Sequence, residues 1–117
     1  MYMELIINKN KFNVKTVISS KDTSQGMMNK QFDNTFNGML FIMSEGQHCF
    51  WMKNCITNLD IIFIDDDTIT KIHHNCPPCK TKDCRNYCGE GDMILELKGG
   101  SSKNLNINVG DKIIHQD

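Results

Sequence analysis

The sequence has no apolar stretch that approaches the roughly 20 residues of a membrane-spanning helix. One of its apolar runs, at residues 61–64, lies between Asp60 and Asp65. Residues 1–7 carry Glu4 within a short apolar run and have neither a basic region nor a small-residue cleavage site, so they do not indicate a signal peptide. We therefore expect no transmembrane segment in this chain.

An excess of positive charge is also missing, because 13 Lys and Arg face 14 Asp and Glu and leave a net charge of -1. The basic residues are spread along the chain, and all of them except Arg85 are lysines. Nucleic acids are bound through concentrated basic surfaces. The sequence therefore does not predict a nucleic-acid partner.

The composition is that of a globular domain, with 39% hydrophobic and 23% charged residues. A chain of 117 residues can build one hydrophobic core, so we expect a single domain over residues 1–117. Helices are predicted near residues 21–32, after the capping residues Ser19 and Ser20, and near residues 101–106. Apolar segments predict strands at 5–7, 12–18, 39–43, 48–54, 61–64, 69–72, 93–97 and 112–115.

Two turns are predicted inside this strand-rich pattern, at residues 44–47 and at the three aspartates 65–67. The aspartates lack the further oxygen ligands and the glycine of a helix-flanked calcium loop, so they are interpreted as a solvated hairpin turn. The expected fold class is therefore α+β, with a predominantly antiparallel sheet for which a barrel-like form is one option.

Several short motifs follow, in order and spacing, those of the family of uncharacterised domains numbered 192 (DUF192). They are GMM at 26–28, GMLF at 38–41, FWMKN at 50–54, LDIIFID at 59–65, LEL at 95–97 and VGDK at 109–112. The chain thus resembles this family over residues 14–115, and FWMKN is the most distinctive motif. It departs from the family pattern at Cys55, Thr57 and Asn58, where Thr, Ile and Pro are common.

The resemblance implies a small strand-rich domain with one or two helices, in a family whose members are often exported and have no established activity. It also implies a disulfide between Cys79 and Cys84. A disulfide would indicate an oxidising compartment, and so an exported or cell-surface location, although residues 1–7 show no signal peptide.

Four cysteines, Cys76, Cys79, Cys84 and Cys88, lie within thirteen residues, and two histidines precede them. This spacing is close to that of a small zinc knuckle, so zinc is one interpretation. The two prolines after Cys76 lack the amide hydrogens that stabilise thiolates in a knuckle, which favours two disulfides instead. If Cys79 pairs with Cys84, the second disulfide would join Cys76 to Cys88.

Cys49 and Cys55 are separated by six residues of a predicted strand, about 20 Å at strand rise, which is too far for a disulfide between them. We interpret both as free, small buried hydrophobes. A cysteine nucleophile would need a positioned base. No recognised catalytic signature assigns one of the four histidines to that role.

The candidate ligand-binding residues are Trp51, Lys53, Asn54 and Asp60. Together they could frame a shallow site for a small polar or carbohydrate-like ligand, with Trp51 as a stacking surface. In the alternative interpretation Trp51 is core, Lys53 pairs with Asp60, and Asn54 satisfies backbone groups of a turn. The Gly-Gly-Ser-Ser segment at residues 99–102 could hold an anion on helix amides, or serve only as a turn and cap.

The sequence therefore favours a non-enzymatic binding or structural domain, with no assigned catalytic residue and no cofactor. One alternative is an enzyme of unknown reaction that uses Lys53, Asp60 or Cys55. The other is a zinc-binding module at residues 76–88.

Overall fold

The computed structural model describes residues 1–116, of which most lie in a single seven-stranded sheet. The strand order in the sheet is β5-β4-β6-β3-β2-β1-β7. The elements in chain order are β1 Tyr2–Ile7, β2 Asn10–Val17, α1 Ser20–Gln25, β3 Gly38–Trp51, β4 Leu59–Asp65, β5 Thr68–Cys76, β6 Asn86–Lys98, α2 Ser101–Asn104 and β7 Ile113–Gln116. No helix in this part of the chain is long and apolar enough to cross a membrane.

The sheet is mixed and open, so the barrel-like form expected as one option is wrong. Its strand pairs are antiparallel except β2 with β3, which run parallel. Parallel neighbours need a crossover, which α1 and the loop after it supply. A bridge between Thr68 and Lys112 brings the two ends of the sheet together at one point, but the edge strands β5 and β7 do not pair with each other.

The turn predicted at residues 44–47 does not form, because β3 continues through it. β6 pairs with β3 on both sides of an irregularity between Ile42 and Gly46. Gly46 has a φ of 142°, a conformation that costs a glycine little and that lets the strand absorb extra residues as a bulge. The polar residues that suggested a turn therefore belong to a bulged strand.

Both helices are shorter than predicted, and α1 ends at Gln25 instead of near residue 32. The N–H of Asp22 donates to the hydroxyl of Ser19, which caps the helix, and Gly26 terminates it with a φ of 45°. Since α1 buries no side chain, nothing extends it beyond Gly26. The aspartate hairpin between β4 and β5 forms as predicted, with Asp66 and Asp67 at positive φ.

The core lies on both faces of the sheet, which β6 shows by alternation. Met93, Leu95 and Leu97 belong to one buried cluster, whereas Ile94 belongs to the other. Glu96 is two residues from Ile94 and therefore lies on the second face, in an otherwise apolar layer. This face also carries a cleft.

Candidate active site or ligand cleft

The cleft lies between α1, with the segment that follows it, and the bulged half of β3. Its volume is about 400 Å³. Glu96 of β6 and Cys55, which follows β3, complete the lining. The remaining lining residues are Thr23, Ser24, Gln25, Gly26, Met27, Met28, Phe41, Met43, His48, Cys49, Phe50 and Trp51.

Backbone hydrogen bonds fix the loop wall of this cleft against the end of β3. The N–H of Asn29 donates to the carbonyl of Asn54 at 2.8 Å, and Met28 forms a bridge with Cys55. Met27 is buried in the cluster on this face of the sheet. The short α1 is therefore held in place from its C-terminal side although it buries no residue of its own.

Glu96 is the unusual group of the cleft, because it is buried and its Oε1 has no hydrogen-bond partner. It occupies the centre of the sheet, opposite Met39 on β3 and Ile61 on β4. Burial disfavours the charged carboxylate and raises the pKa of Glu96 to about 8. At neutral pH the group is therefore mostly a neutral carboxylic acid, which can both donate and accept a hydrogen bond.

Aromatic side chains form much of the remaining wall. Trp51 is 42% exposed at the edge of the cleft, and the Lys53 ammonium lies 5.2 Å from its ring centroid. Phe41 and Phe50 meet edge to face, with ring centroids 4.9 Å apart. Trp51 is thus neither a core residue nor free of contacts, and of the four candidate residues it is the one that lines the cleft.

Asp60 does not line the cleft and is held by a different part of the fold. It is fully buried and accepts hydrogen bonds from the backbone amides of Asn75 at 2.7 Å, Gly100 at 3.1 Å and Ser102 at 2.8 Å. No ion pair between Asp60 and Lys53 is present in residues 1–116. The amides at residues 99–102 do hold an anion, but it is the protein's own carboxylate.

Asn54 has a structural position at the turn after β3. Its φ is 59°, and its N–H donates to the carbonyl of Cys79 at 2.9 Å. Together with the Asn29 contact, this places the Asn54 backbone at the junction of three chain segments. The contacts that place Asn54 in this turn are therefore made by its backbone N–H and carbonyl.

The disulfides join Cys79 to Cys84, the pairing that the resemblance implied, and Cys49 to Cys88. The expected bond between Cys76 and Cys88 is therefore wrong, and so is the expectation that Cys49 is free. The reason is the strand register, because pairing of β3 with β6 places Cys49 directly opposite Cys88. The separation of about 20 Å along the strand excludes only a bond between Cys49 and Cys55.

Cys55 and Cys76 are free and buried. Burial, helped by the nearby Glu96 carboxyl, raises the pKa of Cys55 to about 12, and burial raises that of Cys76 to about 11. Both thiols are therefore protonated at neutral pH and are poor nucleophiles. This argues against the catalytic role that was one option for Cys55.

Three of the four histidines contact neighbouring groups. Ring nitrogens of His48 and His73 lie 2.6 Å from the Ser44 carbonyl and 2.8 Å from the Cys88 carbonyl, respectively. His115 contacts the Asp67 carboxylate at 2.9 Å. Within residues 1–116 no three His, Cys, Asp or Glu side chains are grouped to hold a metal ion. Zinc binding by the four loop cysteines stays a hypothesis. It would require both disulfides, Cys79–Cys84 and Cys49–Cys88, to be reduced.

Sequence reasoning placed Glu96 in a family motif but not in the site. The signal that could have found it is a single acid inside the apolar strand pattern of residues 93–97. An ionisable side chain within a strand that is buried on both faces is expensive unless it is partnered. Such a residue therefore deserves testing as a functional group.

The protein is thus an open mixed sheet, and one face of the sheet carries a cleft of about 400 Å³ that the buried Glu96 helps to line. The DUF192 family model, described as an uncharacterised ACR, matches residues 3–115, so the chain belongs to this family. The family has no characterised function. No curated protein matches the chain.

Two solved structures are similar to this one. A protein of unknown function from Novosphingobium aromaticivorans is 25% identical with a TM-score of 0.85, and the match covers 97% of this chain and 84% of that chain. A "putative transcription regulator" from Sinorhizobium meliloti is 28% identical with a TM-score of 0.82, and the match covers 97% of this chain and 92% of that chain.

Proposed function

We propose that this chain is a non-enzymatic binding domain that takes up a small organic molecule in the Glu96 cleft. The observation that carries the proposal is the unpartnered Oε1 of Glu96 in the lining of a cavity of about 400 Å³. Small-molecule sites typically combine such a volume and apolar walls with a few polar groups. A buried carboxyl without a partner is otherwise destabilising, so a ligand that hydrogen-bonds to it supplies what the fold leaves out.

The ligand's ring or alkyl body would contact Trp51, Phe50 and Met43, which line the cleft with Glu96. Trp51 keeps the stacking role predicted from the sequence, with Lys53 ordered above its ring. Asp60 is left out of the site, since backbone amides already occupy both of its oxygens.

The chain's own methionines provide the test of this proposal. With methyl-labelled methionine, an aromatic fragment library should shift the NMR signals of the cleft residues Met27, Met28 and Met43. Met3 and Met93 belong to the cluster on the opposite face and serve as internal controls. Saturable shifts confined to the cleft methionines would support a ligand site. Uniform shifts, or none across the library, would reject it.

An enzyme is the second candidate, because an acid with a pKa of about 8 in a cleft has the properties of a general acid or base. It would act through Glu96 instead of the Lys53, Asp60 or Cys55 expected from the sequence. The cleft also contains His48, which is bound to the Ser44 carbonyl. Turnover in a chromogenic hydrolase and lyase panel that is lost in Glu96→Gln would favour the enzyme over the binding domain.

We also propose that the chain works in an oxidising compartment, at the cell surface or outside the cell. Two disulfides support this, because such bonds persist where thiols are not kept reduced. Intact mass and thiol counting on unreduced, denatured protein should give no zinc and two free thiols, Cys55 and Cys76. Stoichiometric zinc in the native mass, with six free thiols after its release, would contradict the proposal.

The relative from S. meliloti carries the description "putative transcription regulator", which would correspond to DNA binding by this chain. The net charge of -1 and the scattered lysines give no support to it. A small organic ligand accounts better for the cleft.

A further inference from the structure

We propose that the ligand of the Glu96 cleft is an organic cation, an alkyl- or arylalkyl-ammonium whose nitrogen pairs with the Glu96 carboxylate while its apolar body lies against Trp51 and Phe50. This inference rests on the proposed function and specifies the class of ligand. It follows from three properties of the lining, which are its charge, its hydrogen-bonding vacancy and its aromatic surface.

The charges of the lining favour a cation over an anion. Among the described residues, no Lys or Arg lines the cleft, and Glu96 is its only carboxyl. Lys53 is close by but lies over the outer Trp51 ring, and it is not part of the lining. An anionic ligand would therefore meet an acid without a compensating cation, whereas an ammonium would neutralise it.

The unpartnered Oε1 of Glu96 can accept a hydrogen bond from a ligand donor. Asp60, the other buried carboxylate on the neighbouring strand, accepts three backbone N–H groups, but Glu96 Oε1 accepts none. An ammonium offers up to three N–H donors and a full charge, and charge-assisted hydrogen bonds are about twice as strong as neutral ones. A neutral hydroxyl would fill the vacancy without stabilising the ionised acid.

The aromatic wall distinguishes a cation from a neutral ligand. Trp51, Phe50 and Phe41 line the cleft within the same β3 segment that carries Met43. Aromatic faces attract cations through their quadrupole, and the effect grows when the cation is removed from water. A carboxyl next to aromatic rings is the arrangement by which proteins commonly hold organic ammonium groups.

Binding of a cation must displace the proton that Glu96 carries at neutral pH, so affinity should depend on pH. The titratable groups near Glu96 are the thiols of Cys55, after β3, and Cys76, at the end of β5, and both are protonated in this range. His48 of β3 is a further ionisable group in the lining of the cleft. Protonated His48 would oppose a cation, so its contribution has to be separated from that of Glu96.

The test compares three probes that share a phenylethyl group, 2-phenylethylammonium, 2-phenylethanol and 3-phenylpropanoate, by calorimetry and by the methionine methyl signals. The ammonium keeps its charge up to a pH of about 10, as a lysine does, so only the protein titrates over the range used. From about pH 6 to about pH 8 its affinity should rise about tenfold per pH unit and then level off. Proton release approaching one per ligand at about pH 6, measured in buffers of different ionisation enthalpy, should accompany the rise.

Two variants separate the groups involved. Glu96→Gln keeps the shape, and it should bind the ammonium at least tenfold more weakly at about pH 8 and lose most of the pH dependence. His48→Gln is the matched control and should keep the Glu96 slope. If Glu96→Gln does not fold, the pH profile and proton release of the unmodified chain still decide.

The outcomes separate this inference from the proposed function. Tighter binding of 2-phenylethanol than of the ammonium, or ammonium binding without pH dependence, would overturn the cation and leave the ligand cleft standing. Preferential binding of 3-phenylpropanoate would do the same. If none of the probes shifts Met27 or Met43 and the fragment library fails as well, both proposals fall.

Discussion

Two regions of this molecule are built around a buried carboxyl group, and they use it in opposite ways. Asp60, on β4, sits beneath the α2 turn and accepts hydrogen bonds from three backbone amides. Glu96, on β6, sits beneath the α1 loop and has an oxygen without any partner. Both side chains are almost completely buried, so burial does not distinguish them.

The difference shows that the partners of a buried acid, and not its burial, indicate its role. A carboxylate that is fully hydrogen-bonded to backbone stabilises a local structure. One that lines a cleft without a partner costs stability, and folds keep such groups mainly where they act. The sequence drew attention to Asp60 as a ligand residue, whereas our proposal assigns that role to Glu96.

The largest loss of stability is expected when the Asp60 carboxylate is removed. Asp60→Ala leaves three N–H groups unpaired, one of them in a buried and two in partly buried hydrogen bonds, and should lower the free energy of unfolding by about 5 kcal/mol. Urea unfolding measures this, and Asp83→Ala, an exposed loop aspartate, is the control with little expected change. A loss of stability as small as that of the control would contradict a structural role of Asp60.

The next largest losses of stability are expected when the disulfides are removed. Cys49 lines the cleft, and Cys79 packs against the buried cluster on the same face of the sheet. Cys49→Ser with Cys88→Ser opens a bond that spans 39 residues and should cost about 4 kcal/mol, because the unfolded chain regains much freedom. Opening Cys79–Cys84, which spans 5 residues, should cost about 2 kcal/mol. Equal losses in denaturant unfolding would contradict this entropic explanation.

Stability should depend on pH through Glu96 in a window set by its shifted pKa. In the unfolded chain the carboxyl ionises near its ordinary value of 4.5, whereas in the folded chain it stays protonated up to about 8. Raising the pH through this window therefore favours the unfolded state by up to about 1.4 kcal/mol per unit, or about 2 kcal/mol between pH 6 and pH 8, because the slope decreases near the folded pKa. Above the folded pKa, both states are ionised and the contribution is constant.

The matched variant for this prediction is Glu96→Gln, which has no charge to bury. Its urea unfolding curves should lack the loss of stability between pH 6 and pH 8 that the unmodified chain shows. A variant that retains the full slope would assign the pH dependence to another group and would weaken the contrast with Asp60.

The smallest effect on stability is expected at the rim of the cleft. Trp51→Ala removes a side chain that is 42% exposed and should change the free energy of unfolding by less than about 1 kcal/mol. Binding of 2-phenylethylammonium should fall by about tenfold, since an aromatic contact is lost. Ile114→Ala, on the edge strand β7 and 56% exposed, is the control that should leave binding unchanged.

Local patterns predicted the strands well, but only part of their lengths and connections. The 93–97 pattern lies within the longer β6, and the aspartates at 65–67 form the predicted hairpin turn. The turn at 44–47 was mispredicted because Gly46 permits a bulge, a choice that only pairing with β6 settles. Residues 26–32 were expected to be helical, but there the contacts of Met27 and Met28 outweigh a weak helix propensity.

The candidate site was predicted in part for the same reason. Trp51 was identified from its residue type and motif, and it does line the cleft. Asp60 was grouped with Trp51 because the two are close in sequence, but the chain turns between them and α2 amides surround the carboxylate. Glu96 reaches the cleft from a strand 45 residues further along, as counted from Trp51, which no local pattern indicates.

The sequence by itself determined the family, the strand-rich class and the lack of net positive charge, because these depend on composition, periodicity and motif order. Only the tertiary structure decided the open mixed sheet, the partner of Cys88 and the meeting of Glu96 with Trp51. These depend on strand register and on a crossover, which bring together residues distant in the chain. Local sequence preferences do not predict such pairings, because the pairing energies arise only when the sheet has formed.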